Sequence, residues 1–158
     1  MALCWVMHIV GDMHEPLHAA LWMDTRYPIT DRGGNGAWVR TRRDAAPERL
    51  HWFWDSAGAQ AGREMRDPEA FAGELARLHP DADAPPPSRP RAAFDAWVRR
   101  SRELARAVVY RRGALATSPR AEDAPVLPPD YVAEARTTAE RRLAEAGWRI
   151  GALLEGVR

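Results

Sequence analysis

The stretch that most restricts how this chain can fold lies near its start. Ala2 to Val10 is an apolar run patterned as a buried helix, and polar groups and a proline break into it. His8-Ile9-Val10-Gly11-Asp12-Met13-His14-Glu15-Pro16-Leu17-His18 holds three of the five histidines and two carboxylates. Polar groups in such a setting cost free energy unless something pairs with them. His8 and Asp12 are four apart, so a helix stacks them on one face. Pro16 cannot continue the hydrogen-bond ladder, so the helix should bend near Glu15 and turn His18 away from the line of the first pair. Imidazole and carboxylate converging at a bend suit a borderline cation such as zinc. A single histidine here would be an ordinary core residue; three with an aspartate point to a metal site.

At 158 residues the chain has the size of one domain, and 46% hydrophobic residues with seven tryptophans indicate a packed core. The net charge of +1 supplies no global field for a polyanion, so contact with nucleic acid must come from local patches. All 23 basic residues are arginine. Codon bias accounts for that, with bidentate clasping of phosphate the chemical alternative. Cys4 is the one cysteine and reads as a small core residue. The apolar opening is too short to span a bilayer and lacks the basic flank of a signal peptide.

The helical period predicts an all-α fold. Residues 1–15 read as a mostly buried helix, and 19–49 as loop, with a short strand at Trp38–Thr41. Residues 48–65 resume helical patterning. A helix over 68–79 would turn Phe71, Leu75 and Leu78 inward. The segment 80–90, with five of the thirteen prolines, reads as a connector. Long helices follow at 91–111 and 129–156, separated by a proline-rich loop at 119–129. Their inward residues should be Phe94, Trp97, Leu104, Val108 and Val109 on the first, and Tyr131, Ala135, Leu143, Ile150 and Leu153 on the second.

Leu50-His51-Trp52-Phe53-Trp54-Asp55 repeats the earlier geometry, with His51 and Asp55 sharing a helical face. Two His-x-x-x-Asp pairs on separate helices, plus His18 at a bend, are the parts of a metal site in a helical bundle. The run His8 to His18, then Asp31-Arg-Gly-Gly-Asn35, then Leu50-His51-x-x-Trp54-Asp55-Ser56 resembles the S1/P1 nuclease family. These are zinc-dependent single-strand nucleases and 3′-nucleotidases. Trp97 with Ser101, Tyr110, Tyr131 and Arg141-Arg142-Leu143-Ala144-x-Ala146-Gly147 fit the same family, so the resemblance covers essentially the whole chain.

The resemblance implies a multi-helix bundle of the phospholipase C/P1 nuclease type with three zinc ions in a cleft. His18, His51 and Asp55 should hold one zinc with a coordination position left open. His8 and Asp12 should supply part of a second site, with Asp12, the candidate catalytic residue, bridging to the third. In the family the remaining ligands lie upstream. The chain is therefore expected to be the C-terminal portion of the fold, a single truncated zinc-dependent nuclease domain over 1–158. One fully liganded zinc and little nuclease activity in isolation are expected of it. Family members are secreted or periplasmic, so the same is expected of the whole gene product. The expected substrate is single-stranded DNA or RNA, or 3′-nucleotides, cut to leave 5′-phosphates. No membrane and no obligate protein partner are indicated. A zinc phospholipase C-like hydrolase and a non-catalytic zinc-binding remnant are the alternatives.

Asp31 and Asn35 are candidates for contacts to base or sugar; a plain turn, with Asn and Gly chosen for positive φ, explains them equally. Trp22, Trp38 and Trp52 suit either core packing or base stacking. Arg40, Arg42 and Arg43 form a basic cluster that is either a phosphate track or solvated surface. His14 is a candidate for orienting a metal ligand. Three positions depart from the family pattern: Glu15 for Gln, Arg49 for Asn, and Arg100 for Glu.

Overall fold

A computed structural model describes residues 2–58, 67–82 and 90–155. Over these residues the chain is helical: α1 Ala2–His14, α2 Leu50–Ala57, α3 Pro68–Leu78, α4 Pro90–Leu104 and α5 Pro129–Glu155. Two short strands, β1 Trp38–Val39 and β2 Glu48–Arg49, pair antiparallel, with Trp38 opposite Arg49 and Val39 opposite Glu48. The all-α expectation holds. No described helix is long and apolar enough to cross a membrane.

The longest element, α5, runs about 40 Å at the α-helical rise and packs against α1, α2 and α3. Its buried stripe runs through Tyr131, Ala135, Ala139, Arg142 and Ala146 at helical spacing. Alanine along most of that stripe lets neighbouring helices approach closely. The expected inward Leu143 is instead 46% exposed. The period passes through its neighbour Arg142, which an apolar count cannot single out.

Tyr131, fully enclosed, ties three elements together. Its hydroxyl donates to the Val109 carbonyl at 2.9 Å and accepts from Trp54 Nε1 at 2.8 Å. That carbonyl belongs to a π-helical turn, Ala105–Val109, that follows α4. The wider turn also delivers Tyr110 to the loop before β1, where its hydroxyl donates to Asp31 at 2.8 Å. Leu17, Val39, Leu50, Phe53, Trp54, Val109, Tyr110, Leu127 and Tyr131 share one core around these contacts.

Several expectations are corrected. α1 is present, but Leu3, Trp5, Val6, Met7 and Ile9 are exposed, so the helix is not mostly buried. Cys4 is exposed too and is no core residue. Within 48–65, Glu48 and Arg49 pair as a strand with Trp38 and Val39, and the helix starts only at Leu50, whose N–H bonds the Ala37 carbonyl. Residues 59–65 of that predicted helix, and 83–89 of the predicted connector, lie outside the described residues. Leu78 is 46% exposed, leaving Leu75 as the buried residue of α3.

Tyr131→Phe removes one oxygen and strands two buried groups, the Trp54 N–H and the Val109 carbonyl. Each orphan costs about 1–3 kcal/mol, so urea unfolding should show a loss of about 2–4 kcal/mol. A loss below about 0.5 kcal/mol, the scatter of surface substitutions, would show that this tie is not structural.

Candidate metal centre

α1 stops at His14 because Glu15 is extended (φ −85°, ψ 120°) and Pro16 opens a short 3₁₀ turn, Pro16–Ala19. Glu15 caps that turn, its Oε2 accepting from the His18 N–H at 2.7 Å. The reversal swings His18 back over the last turn of α1. His18 Nδ1 comes to 3.2 Å from Asp12 Oδ1, and the second oxygen of Asp12 lies 3.3 Å from His8 Nε2. On its other side His18 Nε2 lies 3.8 Å from Asp55 Oδ1, while Asp55 Oδ2 lies 3.6 Å from His51 Nε2. The result is a continuous string, His8–Asp12–His18–Asp55–His51, with each carboxylate shared between two imidazoles. The His18 and His51 rings stack with centroids 5.0 Å apart and an interplanar angle of 8°.

His18, His51 and Asp55 offer ligand atoms that lie within 4.8 Å of one another. That set, two imidazoles and a carboxylate, is the donor chemistry of a catalytic zinc site with a free position. The tautomer of His51 suits the role. Its Nδ1 lies 2.6 Å from the Gly33 carbonyl, which can only accept. The proton is therefore on Nδ1, and Nε2 keeps its lone pair for a cation. His18 is arranged alike, with Nδ1 facing Asp12 and Nε2 facing the shared space. A cavity of about 200 Å³ adjoins the string, lined by Asp12, Glu15, His18 and Asp55 together with Pro16, Trp54 and Leu143.

The seat of His51 is built by the loop before β1. Gly33 and Gly34 have φ of +62° and +80°, the left-handed region that favours glycine. A Cβ on Gly33 would come to 2.9 Å from the Leu17 carbonyl, and one on Gly34 to 3.0 Å from the His51 nitrogen. Asp31 organises the loop from inside. Its carboxylate accepts from the N–H groups of Trp22 (2.8 Å), Gly33 (3.1 Å) and Gly34 (3.0 Å) and from Tyr110. Burial, and then this carboxylate, push the Tyr110 hydroxyl well above its usual range, so it stays a donor. Asp31 is fully buried, and both of its oxygens are engaged by these donors. Asn35 is half-buried, its side-chain N–H donating to the Arg32 carbonyl at 3.3 Å.

Other candidates divide by burial. Trp52 is 67% exposed on α2, next to His51, and so is not a core residue. Trp22 stacks on Tyr110, and Trp38 lies under the Arg49 guanidinium at 4.5 Å. Arg42 and Arg43 are exposed, whereas Arg40 donates to the Ala45 carbonyl at 2.7 Å. His14 bonds Val10 and Arg149 rather than the side chains of the string. Its Nδ1 donates to the Val10 carbonyl at 2.6 Å, and burial, with Arg142 and Arg149 nearby, lowers its pKa to about 3. It is therefore neutral and orients no metal ligand directly. Arg100 is exposed beside Glu103.

The S1/P1 Nuclease family model matches residues 1–158, the whole chain. The chain belongs to the S1/P1 nuclease family. No curated protein and no solved structure matches it. S1/P1 nucleases are zinc enzymes, and the His18/His51/Asp55 group is a set of side chains able to hold such an ion. Family membership supports a nuclease-type hydrolase. Burial, with the Asp55 and Asp12 carboxylates adding to it, raises the Glu15 pKa to about 8. At neutral pH the side chain is then mostly uncharged, as glutamine would be. The support given by Gly33, Gly34 and Asp31 to His51 crosses 18 residues of sequence. The signal available for it was the Asp-x-Gly-Gly spacing of a turn whose aspartate bonds the backbone ahead of it.

Asp31→Asn keeps the shape but sets an NH₂ group against buried N–H donors. Calorimetric titration should show zinc affinity falling about 10- to 100-fold, as for other groups that orient a ligand, together with a lower melting temperature. Wild-type affinity and melting in this variant would remove Asp31 from the support of the site.

Proposed function

We propose that this protein is a zinc-dependent endonuclease. It hydrolyses phosphodiester bonds of single-stranded DNA or RNA, and 3′-nucleotides, leaving 5′-phosphate ends. The observation that carries the proposal is the convergence of His18, His51 and Asp55, with ligand atoms within 4.8 Å, in a chain matched throughout by a nuclease family. In this reading residues 1–158 work as a single domain, and the protein acts outside the cytoplasm, as secreted or periplasmic relatives do.

His18 Nε2, His51 Nε2 and an Asp55 oxygen hold one zinc. His8 and Asp12 contribute two donors to a second site. Asp12 has two tasks: one oxygen faces the His8 side, and the other accepts a hydrogen bond from His18 Nδ1–H and so fixes which nitrogen of His18 would face the ion. Zinc, when bound, supplies Lewis acidity and lowers the pKa of water towards neutrality. The residues of the chain do the rest. The two carboxylates would offset the charge of the ions, and the His18 and His51 rings stack beside each other so that both present Nε2 to the shared space. Trp52, exposed beside His51, offers a face on which an unpaired base can stack. Asn35 has a side-chain oxygen free for sugar or base.

Purified protein stripped with a chelator and reconstituted should retain one zinc per chain through dialysis, and His18→Ala should retain none. Cleavage of a single-stranded oligonucleotide should be weak at one equivalent of zinc, rise as zinc is added, and leave 5′-phosphate ends. Equal zinc in wild type and His18→Ala, or the same cleavage after chelation, would contradict the assignment.

A further inference from the structure

The break that brings Asp12 to His18 releases backbone carbonyls inside the protein. A helix leaves its last four carbonyls without intrahelical donors. Here Pro16 offers no N–H, and the His18 N–H is taken by Glu15. Two side chains from other helices supply donors instead. Ser101 of α4 donates its hydroxyl to the Met13 carbonyl at 2.6 Å, and Arg142 of α5 donates Nε–H to the His14 carbonyl at 3.0 Å. The two donors are themselves joined, Arg142 Nη2 donating to Ser101 Oγ at 2.9 Å. His14, Ser101 and Arg142 are all buried, at 2%, 0% and 3% exposure.

A guanidinium this deep is costly unless its donors are satisfied. Arg142 meets that condition, with Nη1 paired to Glu145, which Arg149 also contacts. Burial lowers the Arg142 pKa only to about 10, so it stays charged at neutral pH. Its charge sits where the α1 dipole is negative, a favourable place for a cation. The neutral His14 accepts from Arg149, whose guanidinium also lies 5.0 Å over the Trp97 ring. The clasp acts at residues 13 and 14, between the two side chains that meet across the break at 3.2 Å. None of its donors reaches His8, Asp12, His18, His51 or Asp55 among the contacts described above.

We propose that Arg142, joined through Ser101, is a positioning residue for the metal centre: it locks the end of α1 to α4 and α5 and so fixes how Asp12 meets His18. This rests on the zinc reading given above. The clasp is a separate device from the Asp31 loop, which holds His51 from the other side. Together they support the string of ligands from both ends.

The test uses cobalt in place of zinc, because its visible d–d spectrum reports ligand geometry, alongside zinc affinity by competition with a chelating dye. Arg142→Ala should bind zinc about 10- to 100-fold more weakly than wild type and give an altered cobalt spectrum. Added guanidinium should restore both in Arg142→Ala and change neither in wild type. Ser101→Ala, which removes a single hydroxyl, should shift the spectrum in the same direction and carries the test if Arg142→Ala does not fold. Leu127→Ala, a core deletion away from the clasp, should lower the melting temperature yet keep the wild-type spectrum. Folded Ser101→Ala or Arg142→Ala protein with wild-type affinity and spectrum overturns the inference and leaves the zinc reading standing. Wild-type protein that takes up no metal overturns both.

Discussion

The structure turns on the place where α1 can go no further. Pro16 withholds a donor, Glu15 leaves the helical conformation, and the chain doubles back within four residues. That reversal does what a continuous helix cannot: it sets His18 against Asp12, six positions earlier, with one nitrogen 3.2 Å from the carboxylate. An unbroken helix would carry residues 12 and 18 to different faces, since six positions correspond to about 600° of turn. The carbonyls set free by the break are buried, which commits α4 and α5 to supplying donors. Packing of three helices and geometry of the ligands are thus consequences of one local event.

The second half of the centre is held by different means. His51 and Asp55 sit on one face of the short helix α2, which neither side-chain cap nor length would stabilise alone. It is fixed by what it touches. Leu50, Phe53 and Trp54 enter the core, Trp54 bonds Tyr131, and His51 rests on the Gly33 carbonyl. The backbone at Gly33 and Gly34 comes too close to Leu17 and His51 for a side chain, and the buried Asp31 keeps it there. The imidazole–carboxylate contacts in the string are accessible to solvent and add little stability themselves. Their value lies in the ligand set they pre-arrange.

Much of this was legible in the residues. The two His-x-x-x-Asp spacings, the proline between the histidines and the apolar periodicity specify helices, a bend and a shared face, and the family resemblance orders them. What could not be read depends on contacts between distant segments. Asp31 looks like a loop residue available to a ligand, and only its enclosure by Trp22, Gly33, Gly34 and Tyr110 shows it serving the fold. Arg142 has a charged side chain beside Leu143, and a count of apolar positions selects the leucine. Arginine takes the buried position because a carbonyl, a hydroxyl and a carboxylate await it there. The apolar surface of α1 reads as core in one dimension, yet five of its large side chains face solvent.

In the proposed centre His18 and His51, carried by separate segments, bind one ion together with Asp55. X-ray absorption at the zinc edge, on protein loaded with a single equivalent, tests it most directly. The expected spectrum shows a light-atom first shell of nitrogen and oxygen at about 2.0–2.1 Å, with the outer-shell scattering of two imidazoles, falling to one in His51→Ala. A spectrum with one imidazole or none in the wild-type protein, or one unchanged by that substitution, would contradict it.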